Sequence, residues 1–561
     1  MLDTSADLLS GSPRFADARL TAMVQSGDVL SAWRTALQGH AESALQGVSG
    51  DFAVGVREPG GRVFLAVDRF AVRSLCYRID NGQLRFAARA DELAKTTANT
   101  TADIDPQAIF DYLYFHVIPS PRTIYKGIFR LPAGHYAVFE NGHLTVKPYW
   151  VPTFEEQRGT PFETLKDEFK QLLQSAVASE LDGSKAACFL SGGTDSSTIT
   201  GMAGLASGKT VATYSIGFDA QGYDEMDFAR IVARHFKTEH HEYYVTPDDL
   251  LKSIPAVAAH YDQPFGNSSA LPSYYCAKMA RADGVTKILA GDGGDELFGG
   301  NTRYAKQKVF GWYDKVPAGL RANLMEPVSQ LSILDKIPVV RKGASYVNQA
   351  KVPMPDRLMT YNLLFRLGVQ DVLTPQLLAQ VNQQSPAQQQ RALWAEAKTD
   401  SLVNRMLAFD WRYTLADCDL PKVVGTTALA DLAVGFPMLD VNLLAFSQRL
   451  PTAYKLKGFK LRWFFKEALR GFLPDDTLTK KKQGFGLPFG VWTNDHAGLK
   501  ALATDSLSSL AERGVVNEAF IRTLISHRLP EHPGYYGEMI WILMMLEQWL
   551  RKHAPTFKIP R

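Results

Sequence analysis

Cysteine is scarce in this chain. The four cysteines among 561 residues, Cys76, Cys188, Cys276 and Cys418, are scattered and form no C-x-x-C pair. That spacing excludes a disulfide framework and a cysteine-built zinc site, and it suits reduced, mostly buried thiols in a cytoplasmic protein. An excess of one charge is missing too: 61 Lys and Arg stand against 58 Asp and Glu, a net charge of +3. With no extended basic block, neither nucleic acid nor an anionic membrane is expected as a partner. Long apolar runs are also absent. The opening MLDTSADLLSGSPRF holds acidic residues and no apolar centre, so it does not read as a signal peptide. The most apolar stretch, Ile540 to Leu546, is too short to span a bilayer and is expected to be one face of a buried terminal helix. There is no internal repeat and no low-complexity tract.

What is present is the composition of a soluble globular protein, 46% hydrophobic and 21% charged, at a length that calls for more than one core. We divide it into residues 1–150 and 151–561. The first part reads as β-rich. Asp51 to Val56, Val63 to Val67 and Leu84 to Ala88 are strand-like, punctuated by Pro59-Gly60-Gly61 and Asn81-Gly82 and preceded by a helix-like segment, Val29 to Leu45. Residues 149–163 are polar, carry two prolines and read as a link. From about 164 helices and strands alternate: helix Phe162 to Leu181, strand Ala186 to Leu190, helix Thr198 to Leu205, strand Thr210 to Phe218, helix Asp227 to Phe236, strand His241 to Val245, helices Asp248 to Tyr261 and Ala270 to Ala282, and strand Thr286 to Ala290. That order predicts an α/β fold with a doubly wound parallel sheet. Beyond 300 the chain reads as mostly helical.

Two loops carry the chemistry. Ser191-Gly192-Gly193-Thr194-Asp195-Ser196-Ser197 joins the first of these strands to its helix. Glycines and small hydroxyls at such a turn expose backbone N–H groups, and the helix N-terminus adds positive charge, so the loop suits phosphate. It has no Lys in the G-x-x-x-x-G-K-[ST] position and is not a Walker loop. Gly291-Asp292-Gly293-Gly294-Asp295-Glu296 follows the last strand. Asp195 alone would read as an acid favoured by the helix dipole. With Asp295 at the end of another strand, the pair reads as a Mg²⁺ site beside ATP phosphates.

SGGTDSS resembles the pyrophosphate loop of ATP-pyrophosphatases. Together with YSIGF (Tyr214 to Phe218), DQPFGNSSALP (Asp262 to Pro272), GDGGDELFGG (Gly291 to Gly300), FPMLD (Phe436 to Asp440) and KKKQGFGLP (Lys480 to Pro488), it resembles glutamine-dependent asparagine synthetases, in the same order along the chain. The wider family includes β-lactam synthetases and lasso peptide cyclases. The resemblance implies an N-terminal Ntn-type α+β glutaminase domain and a C-terminal ATP-pyrophosphatase domain with a helical C-terminal part. By motif, Ser191, Gly192, Gly193 and Ser196 would cradle pyrophosphate, Asp195 and Asp295 would hold Mg²⁺, and Ile216 and Gly291 would line adenine and ribose. Asp292 would accept a proton from the attacking amine, or it shapes a Gly-rich turn; both readings stand. Lys460, Arg462 and Lys482 are the candidate cations. The family's Lys in K-x-x-x-(R/K)-E-A aligns with Arg462, and Lys460 is the alternative. Lys480 to Lys482 could equally be a solvated charge run or part of a lid.

The chain also departs from that family. The glutaminase of the family uses a cysteine directly after the initiator Met, whereas position 2 is Leu2 and no cysteine precedes Cys76. Thr4 or Ser5 could serve only after processing. The early strands of that domain are not evident, and glutamine hydrolysis is expected to be absent, leaving a degenerate domain. In the region around 420–440 the family's charges are replaced by Val424, Gly425, Ala433 and Gly435, while Gln263 and Asn267 stand where Glu and Asp are common. This suggests an opened, less polar acceptor site. The expected activity is adenylation of a carboxylate, small-molecule or peptidic, followed by acyl transfer to ammonia or an amine. The competing readings are a lasso-type macrolactam cyclase, an ammonia-dependent asparagine synthetase and a non-catalytic ATP-binding scaffold. A homodimer is one candidate assembly.

Overall fold

Alternating side chains build two cores on one N-terminal sheet. In the computed structural model, which describes residues 6–38, 41–95, 103–181, 183, 185–314, 316–321, 346–480 and 486–560, the strands Phe52–Arg57 and Val63–Val67 are buried on both faces. Phe52, Val54, Val56, Phe64 and Ala66 join one core with Phe15 and Trp33, whereas Ala53, Val63, Leu65 and Val67 join a second with Leu84 and Phe86. The period of two along a strand requires this division. The five-stranded antiparallel sheet runs Leu8–Gly11, Phe52–Arg57, Val63–Val67, His135–Glu140, His143–Pro148. Helices cover one face, and a three-stranded sheet (Gln83–Ala87, Cys76–Asp80, Phe129–Arg130) covers the other. The expected helix over Val29 to Leu45 is two helices, Val29–Ala36 and Ala41–Gln46, and Gly39, a poor helix former, stands between them in the sequence. An early strand, Leu8–Gly11, is present after all at the sheet edge, paired with Phe52 to Gly55.

Residues 149–163, expected to be a link, are packed. Trp150 stacks on Trp411 with ring centres 5.8 Å apart, and Phe154 lies 5.2 Å from the same ring. Arg130 adds a clasp, donating to Asp262 at 2.8 Å, while the same carboxylate accepts the Ala90 N–H at 2.9 Å.

The second sheet is parallel, in the order Glu239–Val245, Ala212–Phe218, Ala187–Phe189, Lys287–Leu289, Ala433–Gly435. The chain first winds outward one way from Ala187–Phe189, then returns to place Lys287–Leu289 on its other side. That is a topological switch point, where loops diverge and leave a crevice at the carboxyl ends of the strands. SGGTDSS and GDGGDE leave the two strands flanking it. The strand Ala433–Gly435 lies inside the stretch expected to be helical. It is three residues long, too short to carry a periodic signal, and pairing with Lys287–Leu289 fixes it. The helix expected to begin at Thr198 begins at Thr194.

The terminal helix Pro533–His553 is buried without a break from Met539 to Leu550, not along one face only. Helices Pro247–His260, Phe489–Asp495 and Ala497–Glu512 surround it, and Tyr112 of the N-terminal half donates to the Ile542 carbonyl at 2.8 Å. Glu547 is fully buried there and accepts from Arg513 Nε at 2.7 Å, Ser509 Oγ at 2.7 Å and Arg551 Nε at 2.9 Å. Among the described residues no helix is long and apolar enough to cross a membrane. Breaking a buried pair strands its partner, so Arg513→Met is expected to cost about 3–5 kcal/mol, read as an earlier midpoint in urea. An unchanged midpoint would show that Glu547 does not depend on Arg513.

Candidate active site

The Ser-Gly loop is held open by its own hydroxyls. Ser191 N donates to Ser196 Oγ at 3.2 Å, the two hydroxyls lie 3.1 Å apart, and Gly193 N donates to Ser191 Oγ at 3.3 Å. Gly192 has φ +67°, and a Cβ there would come within 2.5 Å of the Ala229 nitrogen, so only glycine fits between the loop and the helix Met226–Phe236. The helix Thr194–Ser207 starts from Gly193 without a side-chain cap, which leaves its first turn suited to an anion.

Gly291 lies against the first turn of that helix; a Cβ on it would stand 2.8 Å from Ser196 N. Ile216 is a nearly buried residue of Ala212–Phe218, two positions beyond Tyr214, whose carbonyl accepts from Leu190 N. These placements bring the expected nucleotide residues Ser191, Gly192, Gly193, Ser196, Ile216 and Gly291 to the carboxyl ends of adjacent strands.

Asp195 and Asp295 meet across the crevice. Arg462 Nη1 donates to Asp195 Oδ2 at 2.8 Å and to Asp295 Oδ1 at 2.7 Å, while Nη2 donates to Asp195 Oδ1. Burial works against the guanidinium's charge, but the two carboxylates outweigh it and hold the charged form more firmly than usual. Gly294 and Gly300 make room: a Cβ on the first would collide with the Asp195 carboxylate, and one on the second with that of Asp295. Two carboxylates that converge on one cation suit a hard divalent ion. Mg²⁺ takes one or two protein carboxylates and completes its shell with phosphate and water. Among the described residues no group of three or more His, Cys, Asp or Glu could hold a metal ion, so phosphate oxygens would have to complete the set.

Of the two candidate cations among the described residues, Arg462 is placed at this site and Lys460 is not. Lys460 is exposed on the small hairpin Leu456–Lys457 and Lys460–Leu461, opposite Lys457. Because Arg462 starts the helix Trp463–Ala468 in a left-handed conformation (φ +53°), positions two apart are turned in different directions. Lys482 lies outside the described residues. Two other lysines stand beside the site. Lys480 reaches the Ser191 carbonyl at 3.4 Å and Glu225 at 3.2 Å, and burial lowers its pKa. The pKa of Lys466 is lowered by burial and then by the charge of Arg462. The pattern around Arg462 contains Lys466, in FFKEA, and could have pointed to it.

Asp292 faces a different group. Lys422 Nζ lies 3.5 Å from Asp292 Oδ1 and 3.1 Å from Asp419 Oδ1, and Asn267 Nδ2 reaches the same Asp419 oxygen at 3.5 Å. Burial raises the Asp292 pKa, Lys422 pulls it down and Asp419 pushes it up. Asp419 ends a π-helical stretch, Trp411–Asp419, a geometry frequent at functional sites. Lys422 is the one Lys or Arg between Arg412 and Arg449 in the sequence, and that isolation could have pointed to it.

The expectation of an opened acceptor region is corrected by packing. The space beside Gly425 is filled by the Tyr261 ring, 2.5 Å from where a Cβ would stand, and Tyr261 stacks on Phe265 with ring centres 4.5 Å apart. Gly435 is buried in its strand, with Glu180 Oε2 2.6 Å from the position of a Cβ, and Ala433 is exposed at the start of that strand. The space beside Gly425 is taken by a ring, and that beside Gly435 by the Glu180 carboxylate.

Comparison with known proteins follows this geometry. Residues 168–551 match the asparagine synthase family, and residues 29–150 match the glutamine amidotransferase domain family. Asparagine synthetase [glutamine-hydrolyzing] 1 of Bacillus subtilis (strain 168) is 27% identical over 459 residues, 80% of this chain and 70% of that protein. A putative asparagine synthetase [glutamine-hydrolyzing] of Mycobacterium tuberculosis (strain ATCC 25618 / H37Rv) is 26% identical over 90% of this chain and 77% of its own length. A second putative one, from Methanocaldococcus jannaschii, is 34% identical over 271 residues, covering 46% of this chain and 51% of that protein. If the cushion under Asp195 matters, Gly294→Ala will lower ATP-dependent turnover about tenfold or more by moving the carboxylate, with circular dichroism unchanged. Turnover equal to the parent would show that the close approach is incidental.

Proposed function

This chain belongs to the asparagine synthase family of ATP-using carbon–nitrogen ligases, and on that premise we propose that it adenylates a substrate carboxylate and passes the acyl group to ammonia or an amine without a glutaminase of its own. The observation that carries the reading is the meeting of Asp195 and Asp295 at the switch point, beside a Ser-Gly loop suited to phosphate. We divide the chain at 150 and 151, with the degenerate glutaminase-like domain first and the synthetase domain after it.

Asp195 and Asp295 would hold Mg²⁺. Bound there, Mg²⁺ would offset the charge of the phosphate oxygens and make the α-phosphorus a better electrophile. The loop Ser191 to Gly193 and Ser196 bind the pyrophosphate portion. Arg462, Lys466 and Lys480 supply the positive charge that the departing pyrophosphate needs. A carboxylate oxygen of the substrate bonds to the α-phosphorus as the α–β bridge breaks. The amine nitrogen then bonds to the acyl carbon, the acyl–phosphate C–O bond breaks, AMP leaves, and Asp292 accepts the proton. Asp419, Lys422 and Asn267 place charge and hydrogen bonding beside Asp292, which favours a polar nucleophile over an apolar one.

The absence of a glutaminase is supported from within the N-terminal half. Its one cysteine, Cys76, is buried in the strand Cys76–Asp80, and burial pushes its thiol up to about 11. A thiol held protonated in a strand is a poor nucleophile.

Pyrophosphate release with ATP across a panel of carboxylic acids and peptides tests the enzyme reading, and no release with any of them would overturn it. Asp295→Asn is expected to lower turnover about 10²-fold or more with the fold intact; full activity would remove the metal role. Ammonium should support amidation and glutamine should not, so glutamate formed from glutamine would contradict the N-terminal reading. Lys422→Met removes the charge that favours the Asp292 carboxylate. The acid limb of kcat/KM should therefore move up by about 1 pH unit or more, and an unmoved limb would separate Asp292 from proton transfer.

A further inference from the structure

We propose that Arg462 is the resident cation of the divalent-metal position, so that the metal enters only as Arg462 leaves, and that it enters together with a polyphosphate and not alone. This rests on the metal and nucleotide reading above and goes beyond it. The guanidinium bonds to both oxygens of Asp195 and to Asp295 Oδ1, the lone pairs a metal would need. A guanidinium and a divalent ion gripping the same carboxylate oxygens would stand only a few ångströms apart, and their charges would repel at that separation. The Arg462 side chain is only 7% exposed, so water screens little of that repulsion.

Two carboxylates offer a free metal ion no advantage over the guanidinium they already bind. Polyphosphate changes this twice. Its oxygens complete the metal's shell, and its negative charge gives the displaced guanidinium a new partner. The exchange then couples the two ligands: each makes the binding of the other more favourable, by the same factor.

The local backbone suits such a movement. Arg462 has φ +53° at the junction of the strand Lys460–Leu461 and the helix Trp463–Ala468. Its guanidinium carbon lies 4.3 Å from the centre of the Phe465 ring, a surface along which the flat group can slide. On the other side is Gly300, where a Cβ would stand 2.8 Å from Arg462 Cδ. The absent side chain leaves room for the arginine stem.

The test is binding of Mn²⁺ to the full chain, followed by the electron paramagnetic resonance signal of the free ion, with no turnover involved. For the parent, Mn²⁺ alone should bind weakly, and α,β-methylene-ATP should tighten it about tenfold or more. Arg462→Gln should tighten Mn²⁺ alone about tenfold or more and reduce the gain from the nucleotide analogue. Arg462→Lys, which keeps the charge but loses the bidentate grip, should fall between, and it serves if Arg462→Gln does not fold. Both variants binding Mn²⁺ alone within about twofold of the parent would overturn the exchange. Asp295→Asn separates the two readings. If it leaves Mn²⁺ binding in the presence of the analogue unchanged, the metal reading fails and the exchange with it. If it weakens that binding while Arg462→Gln does not tighten Mn²⁺ alone, the exchange alone fails.

Discussion

Two carboxylates in a half-buried crevice repel each other unless a cation stands between them, and this constraint organises the structure. Asp195 and Asp295 stand 100 positions apart in the sequence, yet both reach one guanidinium nitrogen. Only the strand order makes that meeting possible, because the strands that carry them are neighbours at the point where the winding reverses. Glycines then absorb the crowding. Gly192 lets the loop pass the neighbouring helix, and Gly294 and Gly300 give the carboxylates and the arginine their room. At the last two a methyl group would push on a charge.

The same constraint explains which parts were legible in the sequence. The strands from Ala187 to Leu289 were readable because apolar runs alternate there with helical segments and end in glycine-rich turns, even where the strand itself has three residues. The loops were readable for the same reason, and they fell at the carboxyl ends of strands, as the winding demands. Three kinds of feature were not. The strand Ala433–Gly435 has three residues and exists only through its pairing with Lys287–Leu289. The fully buried terminal helix depends on helices packed around it, which a local apolar count cannot report. The side of the chain on which a lysine falls depends on one backbone angle: the left-handed Arg462 sends Lys460 into solvent and its own side chain into the crevice.

The two halves meet through packing and not through the linker sequence alone. Trp150 and Phe154 close on Trp411, at the start of the π-helical stretch that ends at Asp419. Arg412, in the same stretch, donates to the Ser120 carbonyl at 2.8 Å and to Asp417 Oδ2 at 3.0 Å. The N-terminal half thus packs against the segment that presents Asp419 to Lys422 and, through it, to Asp292. Losing that packing would disturb the Lys422 side of the crevice before the Asp195 side.

Charge has therefore been redistributed around this centre and not simply removed. Beside the Ser-Gly loop positive charge is concentrated in Arg462, Lys466 and Lys480, while beside Asp292 and Asp419 the described residues set Lys422. Between them the positions of the missing family charges are filled, by the Tyr261 ring at Gly425 and by close strand packing at Gly435. Filling matters because it leaves no room for a further charged side chain, so the field at the crevice is set by few residues. The consequence is that each remaining ion pair is less replaceable. With Lys422 the one cation in contact with Asp292 among the described residues, the ionisation of Asp292 rests on the position of one ammonium group, and that group is held by the residue that ends the π-helical stretch.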